Sequence, residues 1–198
     1  MKDIDFCKSF HGFTLRPARP EDAAAYFEQN FAPLDPEVAR LTGCKSAFSR
    51  REVTDFFLNA LESEDCCFFL ITDPEGGIIG ESVINEIDRD LRCANFRIAF
   101  FHSERCGGGL GTWATCATRD FAFERLGLHR LELDVFSFNP RAERVYQKAG
   151  FRREGVLRDA ILSDGRYADD ILMAILEDEW REIKKKELLN QRPEGGCL

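Results

Sequence analysis

Four glycines lie within five consecutive positions of this chain, between a segment that resembles a strand and one that has the periodicity of a helix. They are Gly107, Gly108, Gly109 and Gly111. Glycine costs about 0.5–1 kcal/mol relative to alanine where the backbone is ordered, so such a run indicates a close approach to bare backbone. The N-terminus of the following helix leaves N–H groups unpaired, which makes this junction a natural site for an anion. A glycine-rich surface turn remains the alternative interpretation.

The remaining segments predict one α/β domain with the element order β-α-α-β-β-β-α-β-α-β-β. Apolar residues recur at helical spacing after the glycines, and Gly127 ends that helix. Ser49 and Glu52 form a capping box at the start of the second helix. The apolar run CCFFLIT that follows this helix predicts a buried strand.

The second half of the chain carries clear boundary signals. Asn139 is a candidate N-cap, and Gly150 follows the end of the same short helix. Asp164-Gly165 predicts a tight β-hairpin turn. The domain is expected to have its core at about residues 13–180, and the polar tail is expected to fray beyond Lys184.

Composition excludes several classes of protein. The hydrophobic fraction of 44% and the charged fraction of 31% are typical of a soluble globular domain. The sequence has neither a long apolar run nor a signal-peptide pattern, so we expect a cytoplasmic protein that does not bind a membrane. A net charge of −8 argues against nucleic acid as the partner and weakly favours a cationic one.

The metal-ligand residues show no zinc pattern. None of the eight cysteines forms a C-x-x-C pair, and the three histidines are scattered. We therefore expect reduced cysteines and no bound metal.

Three kinds of phosphate-binding loop can be compared with the glycine run. The nucleoside-triphosphate loop requires a lysine, and none occurs between Arg105 and Ala117. The dinucleotide pattern G-x-G-x-x-G fits only loosely, with Ala114 in its last place, and it normally follows the first strand of its domain. A loop that holds the pyrophosphate of coenzyme A is the third kind.

The segment CGGGLG resembles the coenzyme A loop of the GNAT family of N-acetyltransferases, R/Q-x-x-G-x-G/A, with Gly109 and Gly111 in its defining places. Cys106 departs from the first place of that pattern. The segment NPRAERVYQKAGF and the SDGRY hairpin resemble the RimJ/RimL and spermidine-acetyltransferase branch. The resemblance covers about residues 13–180. It implies a single domain with a mixed, mostly antiparallel central sheet flanked by helices.

The resemblance also implies the roles of particular residues. Acetyl-CoA is the expected co-substrate, and Tyr146 is the expected acid that protonates the departing thiolate. The residues expected along the cofactor are Phe100, Phe101, His102, Cys106, Gly107, Gly108, Gly109, Leu110, Gly111, Thr112, Asn139 and Arg144. The family polarises the thioester carbonyl with a strand amide, so the role of Phe100 to His102 is assigned to the backbone.

The base that takes the proton of the amine is the least defined group. By analogy Glu86 on the central strand is favoured, and Glu81, Asp134 and a chain of waters are alternatives. A buried position in the core remains the alternative role for Tyr146.

Function is thus expected to be the transfer of an acetyl group from acetyl-CoA to a primary amine. The acceptor is either a protein N-terminal amine or a small amine such as a polyamine, and a homodimer is an open alternative to a monomer. An acyl-CoA-binding sensor without activity and a dinucleotide-binding reductase are the competing functions.

Overall fold

The structure is a computed structural model that describes residues 4–101 and 107–190. The strands are Lys8–Phe10 (β1), Phe13–Pro17 (β2), Cys67–Thr72 (β3), Ile78–Asp88 (β4), Cys93–Phe100 (β5), Arg130–Phe136 (β6), Arg152–Ser163 (β7) and Arg166–Leu176 (β8). The helices are Ala23–Asn30 (α1), Pro36–Thr42 (α2), Arg50–Glu62 (α3), Leu110–Glu124 (α4), Pro140–Lys148 (α5) and Glu177–Asn190 (α6).

All described strands belong to one sheet, in the order β1-β2-β3-β4-β5-β6-β8-β7. Neighbouring strands run antiparallel except β5 and β6, which are parallel. The β5–β6 pairing covers only Cys93–Asn95 against Arg130–Glu132. Beyond these pairs the two strands part, and the sheet has an opening near its centre.

Helices cover both faces of the sheet. On one face α1 and α3 bury Tyr26 and Phe57 against Phe68 and Leu70 of β3. On the other face α4, α5 and α6 pack on residues of the opposite parity, such as Phe69. Because both faces of β3 are covered, the strand is a continuous apolar run and every residue in it is buried.

The boundary signals in the sequence are confirmed. The hydroxyl of Ser49 accepts from the amide of Glu52, and the side chain of Glu52 in turn accepts from the amide of Ser49. Asp164 and Gly165 have φ of 51° and 73°, as a two-residue hairpin turn requires.

Three elements of the structure are absent from the element order that the sequence predicts. They are the short β1, the seven-residue α2 and α6, which continues to Asn190 through the region where fraying was expected. The cause of the last difference is a polar cluster between α4 and α6. Asp120 accepts from the indole of Trp180 at 2.9 Å and from the ammonium of Lys184 at 2.8 Å. These bonds hold α6 against the body of the domain.

Within the described ranges no helix is both long and apolar enough to cross a bilayer.

Candidate active site

The candidate site is the opening between β5 and β6 together with the glycine loop at the start of α4. The last pair that joins the two strands is Asn95–Glu132. On β5 the opening is followed by Phe96 to Phe100, and on β6 by Leu133 to Phe136. The loop after β5 leads to α4, so the opening and the N-terminus of α4 are adjacent along the chain.

The glycine loop has the backbone geometry that only glycine adopts readily. Gly108 and Gly109 have φ of 58° and 84°, and Gly109 is the N-cap of α4. A Cβ at Gly107 or Gly108 would meet no described atom within 4 Å, so the backbone faces open space. Leu110 donates its amide to the carbonyl of Gly107 at 3.1 Å, whereas the amides of Gly111 and Thr112 donate to no described residue. These two amides of the first turn of α4 are therefore available to an anion.

Gly111 is the closest-packed glycine of the loop. A Cβ there would lie 3.6 Å from the ring of Phe100 and 3.8 Å from a methyl group of Val145. The residue thus lets the end of β5, the start of α4 and the face of α5 meet at one point. This contact places α5, which carries Tyr146, beside the loop.

Phe100 and Phe101 point to different sides of the sheet. Phe100 belongs to the core beneath α4, whereas Phe101 is buried against Tyr26 and Phe31, at ring centroid distances of 5.5 and 5.4 Å. The side chain of Phe101 is thus not offered to a cofactor, and its backbone N–H donates to the carbonyl of Ile79 at 3.0 Å. The backbone role expected for Phe100 to His102 stays a prediction. His102 and Cys106 lie outside the described residues.

Tyr146 lies on α5 and is only 8% exposed. Its ring packs edge to face on Phe96 and Phe151, with centroids 6.4 and 6.2 Å away. Burial, together with the negative charge of Asp134, raises the pKa of Tyr146 well above its usual value of 10.0. The packing role is therefore real, and the hydroxyl keeps its proton at neutral pH.

Asn139 caps α5, as its position in the sequence predicts. Its side-chain oxygen accepts from the amide of Ala142 at 3.1 Å. Arg144 is exposed on the same helix, as are Arg141 and Lys148.

The carboxylates named as candidate bases occupy different environments. Glu86 is exposed, has φ of 55° at an irregularity of β4, and accepts from the amide nitrogen of Asn85 at 3.3 Å. Glu81 is 5% exposed, accepts a hydrogen bond from the hydroxyl of Tyr26, and lies 3.4 Å from the guanidinium of Arg97. Glu86 thus lies beside the paired end of β5, while Glu81 lies level with the part of β5 that has left β6.

Tyr26, Arg97 and Asp170 were not singled out from the sequence. Tyr26 is part of an apolar helix stripe and Asp170 follows another aspartate, so neither has a local signal. For Arg97 a signal was present. Polar and apolar residues alternate at the start of ANFRIAFF, which places Asn95 and Arg97 on one face of the strand.

A split mixed sheet with a glycine loop at a helix N-terminus beside the split is the architecture of an acyl-CoA-dependent transferase. The antiparallel β3, β4 and β5 that precede the loop exclude the dinucleotide-binding fold. Comparison with known proteins specifies the family. The sequence profile described as "Acetyltransferase (GNAT) domain" matches residues 13–152, and the chain belongs to this family.

Named relatives agree with this assignment. The chain is 32% identical over 172 residues to spermidine N(1)-acetyltransferase of Escherichia coli K12, covering 87% of this chain and 90% of that one. The crystal structure of spermidine N-acetyltransferase from Vibrio cholerae in complex with CoA and spermine superposes with a TM-score of 0.77 at 25% identity, over 87% of this chain and 99% of that one. Ribosomal-protein-S5-alanine acetyltransferase from Vibrio fischeri has the same fold, with a TM-score of 0.76 at 24% identity over 89% and 99%.

The chain is therefore an N-acetyltransferase that takes its acetyl group from acetyl-CoA. No group of His, Cys, Asp and Glu residues in the described part of the chain is arranged to bind a metal ion.

Proposed function

We propose that this enzyme acetylates a primary amine of a small cationic molecule and belongs to the RimJ/RimL and spermidine-acetyltransferase branch of its family. The observation that carries the proposal is the parting of β5 from β6 next to a glycine loop whose backbone faces open space. Carboxylates of β4, β6 and β8 surround this opening on the α1–α3 side, which favours a cationic acceptor. A protein N-terminal amine is the alternative acceptor.

In this proposal the loop from Gly107 to Thr112 binds the pyrophosphate of acetyl-CoA through its amides. Glycine suits this role because a side chain there would occupy the space that the phosphates need. The backbone N–H of Phe100, at the end of β5, polarises the thioester carbonyl, because the N–H of Phe101 already donates to the carbonyl of Ile79. Asn139 contacts the pantetheine arm, and Arg144 approaches a phosphate group.

The reaction is a direct transfer. The nitrogen of the neutral amine attacks the carbonyl carbon, a C–N bond forms, and the C–S bond breaks. Tyr146 donates its hydroxyl proton to the departing thiolate. The nitrogen loses one N–H proton as the amide forms, and this proton returns to the oxygen of Tyr146 directly or through water, which restores the acid. The burial that raises the pKa of Tyr146 also disfavours a charged thiolate at the same place, so the proton passes between groups in similar surroundings.

A base must remove one proton from the ammonium form of the acceptor, whose pKa is about 10.4 for a lysine-like amine. Glu86 is the group favoured by analogy for this step, with Glu81, Asp134 and a chain of waters as alternatives. Because Glu86 lies beside the paired end of β5 and not in the opening, its part in the transfer would run through water. The exposed position of Glu86 gives it direct access to solvent, through which the proton can leave.

A panel of amines tests the proposal. The enzyme is incubated with acetyl-CoA and each of a monoamine, a diamine, a triamine and a peptide with a free N-terminus. Thiol release is measured, and products are identified by mass spectrometry. We expect acetylated small amines. Binding of acetyl-CoA without acetylation of any amine would instead support the acyl-CoA sensor.

Cell location and assembly follow as separate proposals. We propose a cytoplasmic enzyme, which is supported by the absence of disulfide bonds among the described cysteines. Self-association is supported by the exposed Leu162 and Tyr167 of the β7–β8 hairpin and by a solved relative from Vibrio cholerae described as dodecameric. Light scattering of the purified enzyme measures the assembly directly.

A further inference from the structure

The register of the sheet brings two aspartates together at the edge of the opening. Asp134 lies two residues beyond Glu132, the last residue of β6 that pairs with β5. It is therefore the first side chain on this face of β6 that has no residue of β5 beside it. Asp170 on β8 pairs with Phe136. Residues offset by two on adjacent antiparallel strands are diagonal neighbours about 7–8 Å apart, within reach of one ligand.

Neither aspartate is neutralised by a described residue. Within residues 4–101 and 107–190, no lysine, arginine or histidine forms an ion pair with Asp134 or Asp170. The nearby cation Arg97 is paired with the buried Glu81. Partial burial and then the negative charge of Asp134 raise the pKa of Asp170, and together they outweigh the backbone N–H of Ile171, which lowers it.

One oxygen of the pair lacks a donor. The Oδ1 atom of Asp170 is shielded from solvent, and it accepts no hydrogen bond from the part of the chain that is described. A buried acceptor without a donor costs about 1–3 kcal/mol, so native structures rarely retain one without a reason. A donor from a ligand would satisfy this oxygen.

The two aspartates also lie close to the reacting groups. Tyr146 is more than nine-tenths buried, and no described residue forms a hydrogen bond with its hydroxyl. Leu133 and Val135, the neighbours of Asp134 on β6, pack in the same core as Tyr146, and Asp134 faces the other side of the sheet. A ligand held at Asp134 is therefore separated from the expected acid by the backbone of β6 at the edge of the opening.

Aromatic residues form the neighbouring wall. Phe136 pairs with Asp170 and lies two residues beyond Asp134 on β6. Its ring packs against Gly43 at the end of α2, and a Cβ added to Gly43 would lie 2.9 Å from that ring. The guanidinium of Arg40 lies over the ring of Phe138, 4.8 Å from its centroid. This wall offers apolar contact to methylene groups, while the aspartates offer charge to an ammonium.

We propose that Asp134 and Asp170 bind a second ammonium group of the acceptor, so that the enzyme selects diamines and polyamines over monoamines. This inference rests on the proposed function, and it assigns Asp134 to substrate binding rather than to removal of the proton. The reacting amine is then held one methylene chain away, at the opening beside Tyr146.

The test compares 1,4-diaminobutane with butylamine, which has the same carbon chain and one ammonium group fewer. For the wild-type enzyme we expect kcat/KM for the diamine to exceed that for the monoamine by about 10–100-fold, the range expected for hydrogen bonds to a charged group. Asp170→Asn and Asp134→Asn should each reduce this ratio at least about fivefold, mainly through the KM of the diamine. Asp90→Asn, an exposed aspartate in the β4–β5 turn, is the control and should keep the ratio.

Several results would overturn the inference. A wild-type ratio near one, an equal loss of both activities in Asp134→Asn, or faster acetylation of a peptide N-terminus than of the diamine would each do so. The melting temperature shows whether Asp170→Asn reduces folding. Because Asp134 is exposed, Asp134→Asn tests the diamine preference even if Asp170→Asn is unstable. If the wild-type enzyme acetylates no amine, the proposed function fails as well, so the two failures are distinguishable.

Discussion

The hydroxyl of Tyr26 donates a hydrogen bond to the carboxylate of Glu81, which lies 55 residues further along the chain. Both residues are buried, and the bond joins α1 to the centre of β4. Burial and the negative charge of Glu81 raise the pKa of Tyr26 well above its usual range, so this tyrosine is a hydrogen-bond donor at neutral pH. The pair is thus a fixed polar contact inside an aromatic cluster.

Tyr26→Phe removes only the donor. The buried carboxylate of Glu81 is left with Arg97 alone, and we expect the free energy of unfolding to fall by about 1–3 kcal/mol. Tyr167→Phe is the matched control, because Tyr167 is 68% exposed, and its effect should stay within about 0.5 kcal/mol. Urea unfolding measures both. Equal stability of the two variants would show that Glu81 gains nothing from Tyr26.

Tyr146→Phe keeps the ring that packs on Phe96 and Phe151 and removes the acid. We expect kcat to fall by roughly 10²–10⁴. The affinity for acetyl-CoA should change much less, since the hydroxyl acts in the transition state. Stopped-flow thiol release establishes whether chemistry limits the rate. A variant with wild-type kcat under that condition would leave Tyr146 only a role in the core.

Gly109→Val tests the glycine loop. The substitution places a branched side chain at a φ of 84° on the expected path of the pyrophosphate, so binding of coenzyme A should weaken at least about tenfold. Gly76→Val is the matched control, because Gly76 has φ of 87° and open space around it in the β3–β4 turn. Both variants carry the same backbone strain. Calorimetry that finds the same affinity in both would remove the loop from the binding site.

Gly150→Ala tests the packing of α6. A Cβ at Gly150 would lie 2.4 Å from Ile183 of α6 and 3.0 Å from Ile175 of β8, so one of these side chains must move. We expect Gly150→Ala to lower the free energy of unfolding by about 1–3 kcal/mol more than Gly127→Ala does. Gly127 is the matched control, because it also has a positive φ but a Cβ there would meet no neighbour. Thermal unfolding of the two variants measures the difference. Equal losses would mean that α6 shifts freely.

Asp120 predicts a loss of stability in acid. Burial raises the pKa of this carboxylate, but Arg119, Lys184 and Trp180 together outweigh that effect and hold it below its usual value of 3.8. Because the folded pKa is the lower one, the stabilisation is present above about pH 4 and is lost as the pH falls through the folded value. Asp120→Asn should be less stable than wild type at pH 7, and the difference should shrink towards pH 3. Urea unfolding at these pH values measures it, with Asp90→Asn as the control.

Local signals in the sequence predicted the parts of the fold that depend on neighbouring residues. The capping box of Ser49 and Glu52 and the cap of Asn139 need only three residues of chain, so their chemistry is visible in the sequence. The Asp164-Gly165 turn is likewise set by the φ values that its two residues tolerate.

Contacts between distant segments were not predictable in the same way. Tyr26 meets Glu81 only because α1 crosses β4, and Asp170 meets Asp134 only because β8 inserts between β6 and β7. The end of α6 was misjudged because its polar sequence gives no sign of Asp120 on α4, which binds it. The roles of the loop residues and of Glu86 stay predictions, supported by family membership and by the experiments above.

The short pairing between β5 and β6 has a thermodynamic consequence. Strands β1 to β5 come from the first half of the chain and β6 to β8 from the second, and only three residue pairs join the two halves of the sheet. We expect a ligand in the proposed site to contact both halves and to stabilise the folded state by RT ln(1 + [L]/Kd). At a ligand concentration about 100 times Kd this amounts to about 2.7 kcal/mol, a large share of the stability of an ordinary domain. We therefore expect the folded fraction of the enzyme to rise with the supply of its own substrate.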